Sequence, residues 1–376
     1  MVAESKSRKA GLVARWLAGL ACLVLLVLAV LLFPLFPLAA VAERPASLIV
    51  PVLSLGLAFF AGKFAVTGRA HRWPSLIGQF HVCKGIDPMD PILDFFNERP
   101  RENWKWQFMP DAAGHNAVNA VALANLALLA YSGTEGVRHF LVDNWTFSDL
   151  QPLAGESTQG FVARKEDVVF VAFRGTQPTS ILDWLTDGKY HQKNLRNVPG
   201  VVHGGFVQAL EQVCDAMLDA VHKLCGGEKP SLFVSGHSLG GALAVLAAAV
   251  LQFDAKLDVS AVYTYGQPRV GNPEFSSAFD SKLGDATFRY VNDRSVPLTE
   301  MLPGRFPPLE PEVFTHVGQL KLFLPDASLT DSDEEWQQRE IGPADAVAGL
   351  REVSRLLDHD PVTGYLPKLE AQLQLS

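Results

Sequence analysis

The 376-residue chain carries 40 acidic residues against 32 Lys and Arg, a formal net charge of −8. That balance gives no support for nucleic-acid binding. Cys22, Cys83, Cys214 and Cys225 form no disulfide framework, and reduced thiols suit the cytoplasm.

Trp16 to Ala42 is an apolar run without a charge. As a helix it would be about 40 Å long, more than the roughly 30 Å hydrocarbon core of a bilayer, with Pro34 and Pro37 kinking its second half. A short turn, Glu43 to Ser47, leads to a second apolar run, Leu48 to Val66, in which Lys63 can snorkel to the interface. The two runs read as an N-terminal transmembrane helical hairpin within residues 1–72. Ala40-Val41-Ala42 resembles a signal-peptidase site, but the first run exceeds a signal peptide's apolar core. Lys6, Arg8, Lys9 and Arg15 precede the first run, and Lys63, Arg69, Arg72 and Lys84 follow the second or lie at its end. The positive-inside rule then puts both flanks in the cytoplasm: a membrane protein with two spans and a cytoplasmic domain at residues 73–376. The same basic residues face anionic lipid headgroups.

Arg69 to Glu102, rich in Pro, Trp and Phe, is expected to run along the domain surface, and Asn116 to Tyr131 reads as a helix. Asp167 to Phe173 is an apolar strand that ends in Arg174-Gly175-Thr176. Ile181, Leu182, Trp184 and Leu185 form a short amphipathic segment, and from Phe206 the pattern is helical to about Leu224. Over such a helix Cys214 and Cys225 stand about 16 Å apart, too far to bridge.

Leu232-Phe233-Val234 then leads into Gly236-His237-Ser238-Leu239-Gly240-Gly241, followed by Ala242 to Leu251, almost entirely Ala, Val and Leu. Strand, glycine turn and buried helix together make a nucleophile elbow, which raises a serine hydroxyl above the sheet edge. Side chains at Gly236 and Gly240 would collide with the flanking strand or helix. The start of the helix turns backbone N–H groups toward the anion formed when Ser238 attacks a carbonyl. The fold class is therefore α/β.

Four blocks occur in order: FRGT at 173–176, VHGGF at 202–206, GHSLGG at 236–241 and YGQPRVGN at 265–272. Together they resemble the class 3 lipases, a family that includes fungal triacylglycerol lipases with an α/β-hydrolase-like fold. The resemblance covers roughly residues 115 to 370. It implies that the backbone N–H and hydroxyl of Thr176 and the N–H of Leu239 form the oxyanion hole. It places Ile181, Leu182, Trp184 and Leu185 in a lid, whose exposed apolar face makes opening favourable at a lipid surface. His203 and Phe206 are structural by the same comparison, and Tyr265 to Asn272 mainly architectural.

For the base, Asp358-His359 followed by Tyr365 resembles the family pattern DH-x-x-x-x-x-Y, which favours His359 over His316. His237, inside the elbow, points away from the nucleophile by turn geometry. For the acid, family members end a strand with VN-x-x-D-x-V-P, where this chain has Val291-Asn292-Asp293-Arg294-Ser295-Val296-Pro297. Ser295 fills the acid's slot and Asp293 stands two residues early, about 6.5 Å along a strand. Asp293 is the preferred acid; Asp358 or Asp360 are alternatives, as is a neutral hydrogen bond from Ser295. Asp326 to Glu340 reads as a solvated acidic insertion, since EF-hand spacing is absent.

The resemblance implies a serine ester hydrolase with the triad Ser238, Asp293 and His359, acting on acylglycerols or phospholipids. The sequence has no phosphate-binding glycine loop and no metal-ligand cluster, so no cofactor and no metal are expected. The expected partners are a lipid ester substrate and the bilayer, with no nucleic acid, and no motif points to a protein partner. Two other readings stay open: a catalytically silent lipid-binding or tethering module, favoured by Ser295, and an acyltransferase using the same acyl-enzyme.

Overall fold

The computed structural model describes residues 91–98, 105–175, 192–292, 314–332, 334–335 and 359–373. All of them belong to Pro74–Ser376, the second of two units into which the chain divides. The apolar runs Trp16 to Ala42 and Leu48 to Val66 lie outside the described residues. Among those described, no helix is long and apolar enough to cross a membrane.

The first described helix, α1 (Pro91–Glu98), falls within the segment 69–102 expected to run along the domain surface. Its Ile92 and Phe96 are buried, and the Phe96 ring lies 4.9 Å from that of Phe140 and 5.8 Å from that of Trp145. Apolar residues four apart share one helix face, so this turn enters the core. Helix α2 (Ala117–Leu129) starts at Asn116, whose side chain accepts the Asn119 N–H at 3.0 Å. A short helix, α3 (Thr134–Arg138), leads toward the sheet.

Three antiparallel strands come next: β1 (Asp149–Ala154), β2 (Gln159–Lys165) and β3 (Val168–Phe173). A small ribbon, β4 (Gln192–Lys193) and β5 (Val202–His203), precedes helices α4 (Gly204–Glu211) and α5 (Cys214–Cys225). Here the single helical run expected from Phe206 to Leu224 breaks. Gln212 at the break turns its side chain to accept the N–H groups of Ser157 and Thr158, at 2.9 and 3.2 Å. Cys214 and Cys225 end up at opposite ends of α5, both as free thiols.

Strand β6 (Ser231–His237) runs into helix α6 (Leu239–Ala249); β7 (Ala261–Tyr265), helix α7 (Pro273–Leu283) and β8 (Thr287–Asn292) follow. After β9 (Gln319–Phe323), the two-residue strand β10 (Leu329–Thr330) folds back antiparallel on it. Part of the presumed acidic insertion is thus a sheet edge, with Asp326 accepting the Ser328 N–H in the turn. Helix α8 (Leu366–Leu373) closes the described chain.

The main sheet has eight strands in the order β1-β2-β3-β6-β7-β8-β9-β10. From β3 to β9 every neighbouring pair is parallel. A parallel core needs both faces covered, and all six residues of β3 are buried. Val169, Val171 and Phe173 pack with residues of α4, α5, α6 and α7. Phe170 and Ala172 pack with α1, α2, α8 and an aromatic group containing Phe233, Tyr263 and Tyr290. Alternation along one strand thus divides two cores between the faces of one sheet. This is the α/β-hydrolase-like arrangement that the motifs predict, and it aligns the C-terminal ends of β3, β6, β7 and β8 along one edge, where α/β folds place their sites.

Candidate active site at the end of the central strands

Ser238 stands between β6 and α6 with φ 57° and ψ −124°, backbone angles that an L-residue rarely adopts. Such a conformation costs on the order of 1–3 kcal/mol and persists only where the surroundings impose it. They do so here through backbone bonds: Ser238 N–H donates to the Tyr265 carbonyl at 2.8 Å, and Gly241 N–H returns to the Ser238 carbonyl at 2.9 Å. The glycine requirement is steric. A Cβ on Gly236 would sit 2.0 Å from the Gly240 carbonyl oxygen, and one on Gly240 would sit 2.4 Å from the Phe173 carbonyl oxygen. Leu239 is the first residue of α6, where an N–H has no acceptor within its own helix. α6 is buried along nearly its whole length, so the positive end of its dipole is held rigidly behind the serine.

The register places Phe173, the last residue of β3, beside Gly236. The loop leaving β3 is therefore delivered to Ser238: a Cβ on Gly175 would come within 3.2 Å of Ser238 Cβ and 2.4 Å of the His237 carbonyl oxygen. Thr176, the next residue, lies outside the described residues, as do Ile181, Leu182, Trp184 and Leu185 of the expected lid.

His359 arrives from the C-terminal segment and is 2% exposed. Its ring centroid is 4.9 Å from that of His237, the residue next to Ser238. Burial, reinforced by the neighbouring His237, holds its pKa well below the ordinary imidazole value, so the ring is neutral and able to accept a proton. Among the described residues, nothing hydrogen-bonds its Nδ1. Asp293, the expected acid, and Ser295 and Asp358 lie outside the described residues. Asp360 is committed elsewhere: Oδ1 accepts the N–H groups of Val362 and Thr363 at 2.9 and 3.0 Å and so caps the turn after His359.

The end of β8, from which Asp293 follows, is tied to that same C-terminal segment. Asn292 N–H donates to Tyr365 Oη at 3.3 Å, its Nδ2 donates to the Gly364 carbonyl at 3.3 Å, and Lys368 Nζ donates to Asn292 Oδ1 at 2.7 Å. Nothing in the spacing of Asn292 and Lys368 announces this pairing, since 76 residues separate them. His203 packs its ring against Phe206 and Phe314 at centroid distances of 4.7 and 6.4 Å, as expected of a structural histidine. His316 lies in the segment entering β9, just after the Gly271–Thr315 bridge.

His237 makes two hydrogen bonds that sequence reasoning missed. Its Nε2 lies 2.6 Å from the His359 carbonyl oxygen, and its Nδ1 2.8 Å from Tyr131 Oη. Burial lowers its pKa to about 4, so it too is neutral near pH 7. The only sequence signal is its place between two elbow residues, which marks many histidines of no special role.

Residues 170–299 match the family described as lipase (class 3). The class 3 lipase match begins inside β3, contains the elbow and runs past the end of β8. A secreted mono- and diacylglycerol lipase of Fusarium solani is 34% identical to this chain, over 50% of it and 52% of the relative. A triacylglycerol lipase of Ricinus communis is 27% identical, over 50% of this chain and 48% of the relative. The matched region thus spans about half the length of these curated relatives. Among solved structures, that of the Rhizomucor miehei triacylglyceride lipase is similar at 25% identity with a TM-score of 0.47, covering 66% of this chain and 96% of that one.

Proposed function

We propose that this chain is a serine carboxylic ester hydrolase whose substrates are acylglycerols presented at a lipid surface. The observation that carries the reading is the conformation of Ser238, held at φ 57° between a buried strand and a buried helix, with a neutral buried imidazole from the far end of the chain packed beside its neighbour. An ordinary Gly-Ser turn has no reason to keep a strained serine at that place. The class 3 lipase match and the names of the relatives point to the same chemistry.

In the proposed reaction, Ser238 Oγ attacks the ester carbonyl while His359 accepts its proton. The oxyanion takes hydrogen bonds from Leu239 N–H and from Thr176. His359 then protonates the leaving alcohol, and water, deprotonated by the same imidazole, attacks the acyl-enzyme to release the fatty acid. Asp293 supplies the carboxylate that faces His359 Nδ1 and stabilises the imidazolium, which the buried ring disfavours by itself. Ile181, Leu182, Trp184 and Leu185 cover the acyl slot, and residues 1–72 anchor the enzyme as a two-helix hairpin with its catalytic domain on the cytoplasmic side.

A fluorophosphonate probe applied to the detergent-solubilised full chain tests the core of this reading. Wild type is expected to label covalently and to release fatty acid from diacylglycerol and triacylglycerol, and Ser238→Ala to do neither. Folded wild type that fails to label would sink the enzyme and leave the silent lipid-binding module. Release from phospholipid alone would reassign the substrate.

A further inference from the structure

We infer that Tyr131 and His237 are positioning residues that hold the backbone of His359 in register with the loop entering the oxyanion hole at Gly175. The inference rests on the ester-hydrolase reading, and deepens it by assigning work to two side chains which that chemistry leaves unused.

Hydrogen-bond chemistry fixes the direction of every link. The His359 carbonyl can only accept, so His237 Nε2 carries a proton and donates it across 2.6 Å. In a neutral ring Nδ1 is then bare and accepts the Tyr131 O–H across 2.8 Å. The Tyr131 oxygen in turn lies against the loop after β3, where a Cβ on Gly175 would come within 2.2 Å of it. Burial pushes the Tyr131 phenol up, so it stays protonated and remains a donor. The relay thus runs from Tyr131, packed against Gly175, to His237 and from His237 to the His359 carbonyl. It brings together four segments far apart in sequence: the residue after α2 and its helix cap, the loop after β3, the elbow at the end of β6 and the C-terminal segment.

Other groups facing this relay do not compete for its links. Arg174 lies over the Tyr131 ring, with its guanidinium carbon 5.8 Å from the centroid. Asp360 acts on both His237 and Tyr131 through its charge, while its Oδ1 caps the turn after His359. The Tyr365 ring packs edge-on against His237, with centroids 5.8 Å apart. His237 is itself 3% exposed and bonded at both nitrogens, so it has no free lone pair with which to deprotonate Ser238. The tether on the His359 carbonyl fixes the backbone from which the ring projects, whatever meets its Nδ1. A misplacement of about 1 Å in a reacting group can cost about 100-fold in rate.

The test uses the full-length chain, a soluble short-chain ester and three single variants. His237→Asn keeps an amide near the Nδ1 position but falls short of the His359 carbonyl. His237→Gln can place an N–H where Nε2 stands. Tyr131→Phe removes one oxygen and keeps the ring, so it remains decisive should either His237 variant fold poorly. The expected result is a kcat lower by about 10- to 100-fold in His237→Asn and about tenfold in Tyr131→Phe, with KM within about threefold, and recovery to within about threefold of wild type in His237→Gln. The double variant Tyr131→Phe/His237→Asn should be no slower than His237→Asn by more than about twofold, because one broken link already opens the relay. Wild-type kcat in folded Tyr131→Phe and His237→Asn overturns the inference and leaves the hydrolase standing. Equal losses in the Gln and Asn variants that follow their melting temperatures overturn it in favour of plain packing. A wild type without ester turnover overturns both.

Discussion

Gly266→Ala offers a direct test of how closely the imidazole is fitted to the sheet edge. Gly266 follows β7 at φ +62°, and a Cβ there would lie 2.4 Å from His359 Cε1, 2.8 Å from its Nδ1 and 2.9 Å from Tyr365 Oη. Ordinary van der Waals contact begins at 3.4 Å, so the ring would have to retreat by about 1 Å. It has little room to do so, since its own carbonyl is held by His237 and the residue is 2% exposed. A shift of that size in a proton acceptor corresponds to roughly a 100-fold loss in kcat. The left-handed backbone adds a stability cost of about 1–2 kcal/mol for a residue with a Cβ, equivalent to a melting temperature lower by roughly 2–8 °C in a domain of this size. That loss is too small to depopulate the native state at 25 °C, so the two effects separate. The assay is kcat on a short-chain ester, read beside circular dichroism and thermal melting. A folded Gly266→Ala protein whose kcat stays within threefold of wild type would refute the contact geometry around His359.

Three further outcomes are expected. Asp293→Ala should lower kcat by at least about 10³-fold with folding intact, and unchanged turnover would remove Asp293 from the triad. Trp184→Ala should reduce hydrolysis of dispersed long-chain glycerides more than that of a soluble short-chain ester; equal losses on both would assign Trp184 to packing rather than to a lid. His237 should make the fold sensitive to acid. The unfolded chain binds a proton at this residue as the pH falls through about 6.5, whereas the buried native ring resists until about 4. Stability is therefore lost as the pH falls through that window, by up to about 3 kcal/mol from this residue. The difference in urea unfolding free energy between wild type and His237→Gln should move against wild type from pH 7 to pH 4.5, and a constant difference would show that His237 titrates like an exposed histidine.

The elbow was legible because every constraint on it is local. A buried strand, two glycines with no room for a Cβ and a helix of Ala, Val and Leu leave few other structures for residues 231 to 249, and β6 and α6 follow that reading closely. The helix read over Asn116 to Tyr131, observed at Ala117–Leu129, and strand β3 were equally plain from the apolar pattern. The break between α4 and α5 was not, because the pattern continues across Gln212 while the break answers to Ser157 and Thr158 on a distant turn. Nor was β10: Asp326 to Glu340 looks solvated by composition, yet Leu329 and Thr330 find a partner in β9. The burial of Ile92 and Phe96 likewise depended on Phe140 and Trp145 being brought to meet them.

The sequence by itself determined the strained turn at Ser238, the strand and helix on either side of it and the α/β class, since strand and helix periods and glycine sterics act over a few residues. Only the tertiary structure decided which groups surround His359. The neutral state of His359 follows from burial among segments far apart in the chain, and the tautomer of His237 follows from a carbonyl 122 residues away. Desolvation and hydrogen-bond direction depend on what lies within a few ångströms in space, and chain order does not encode that distance.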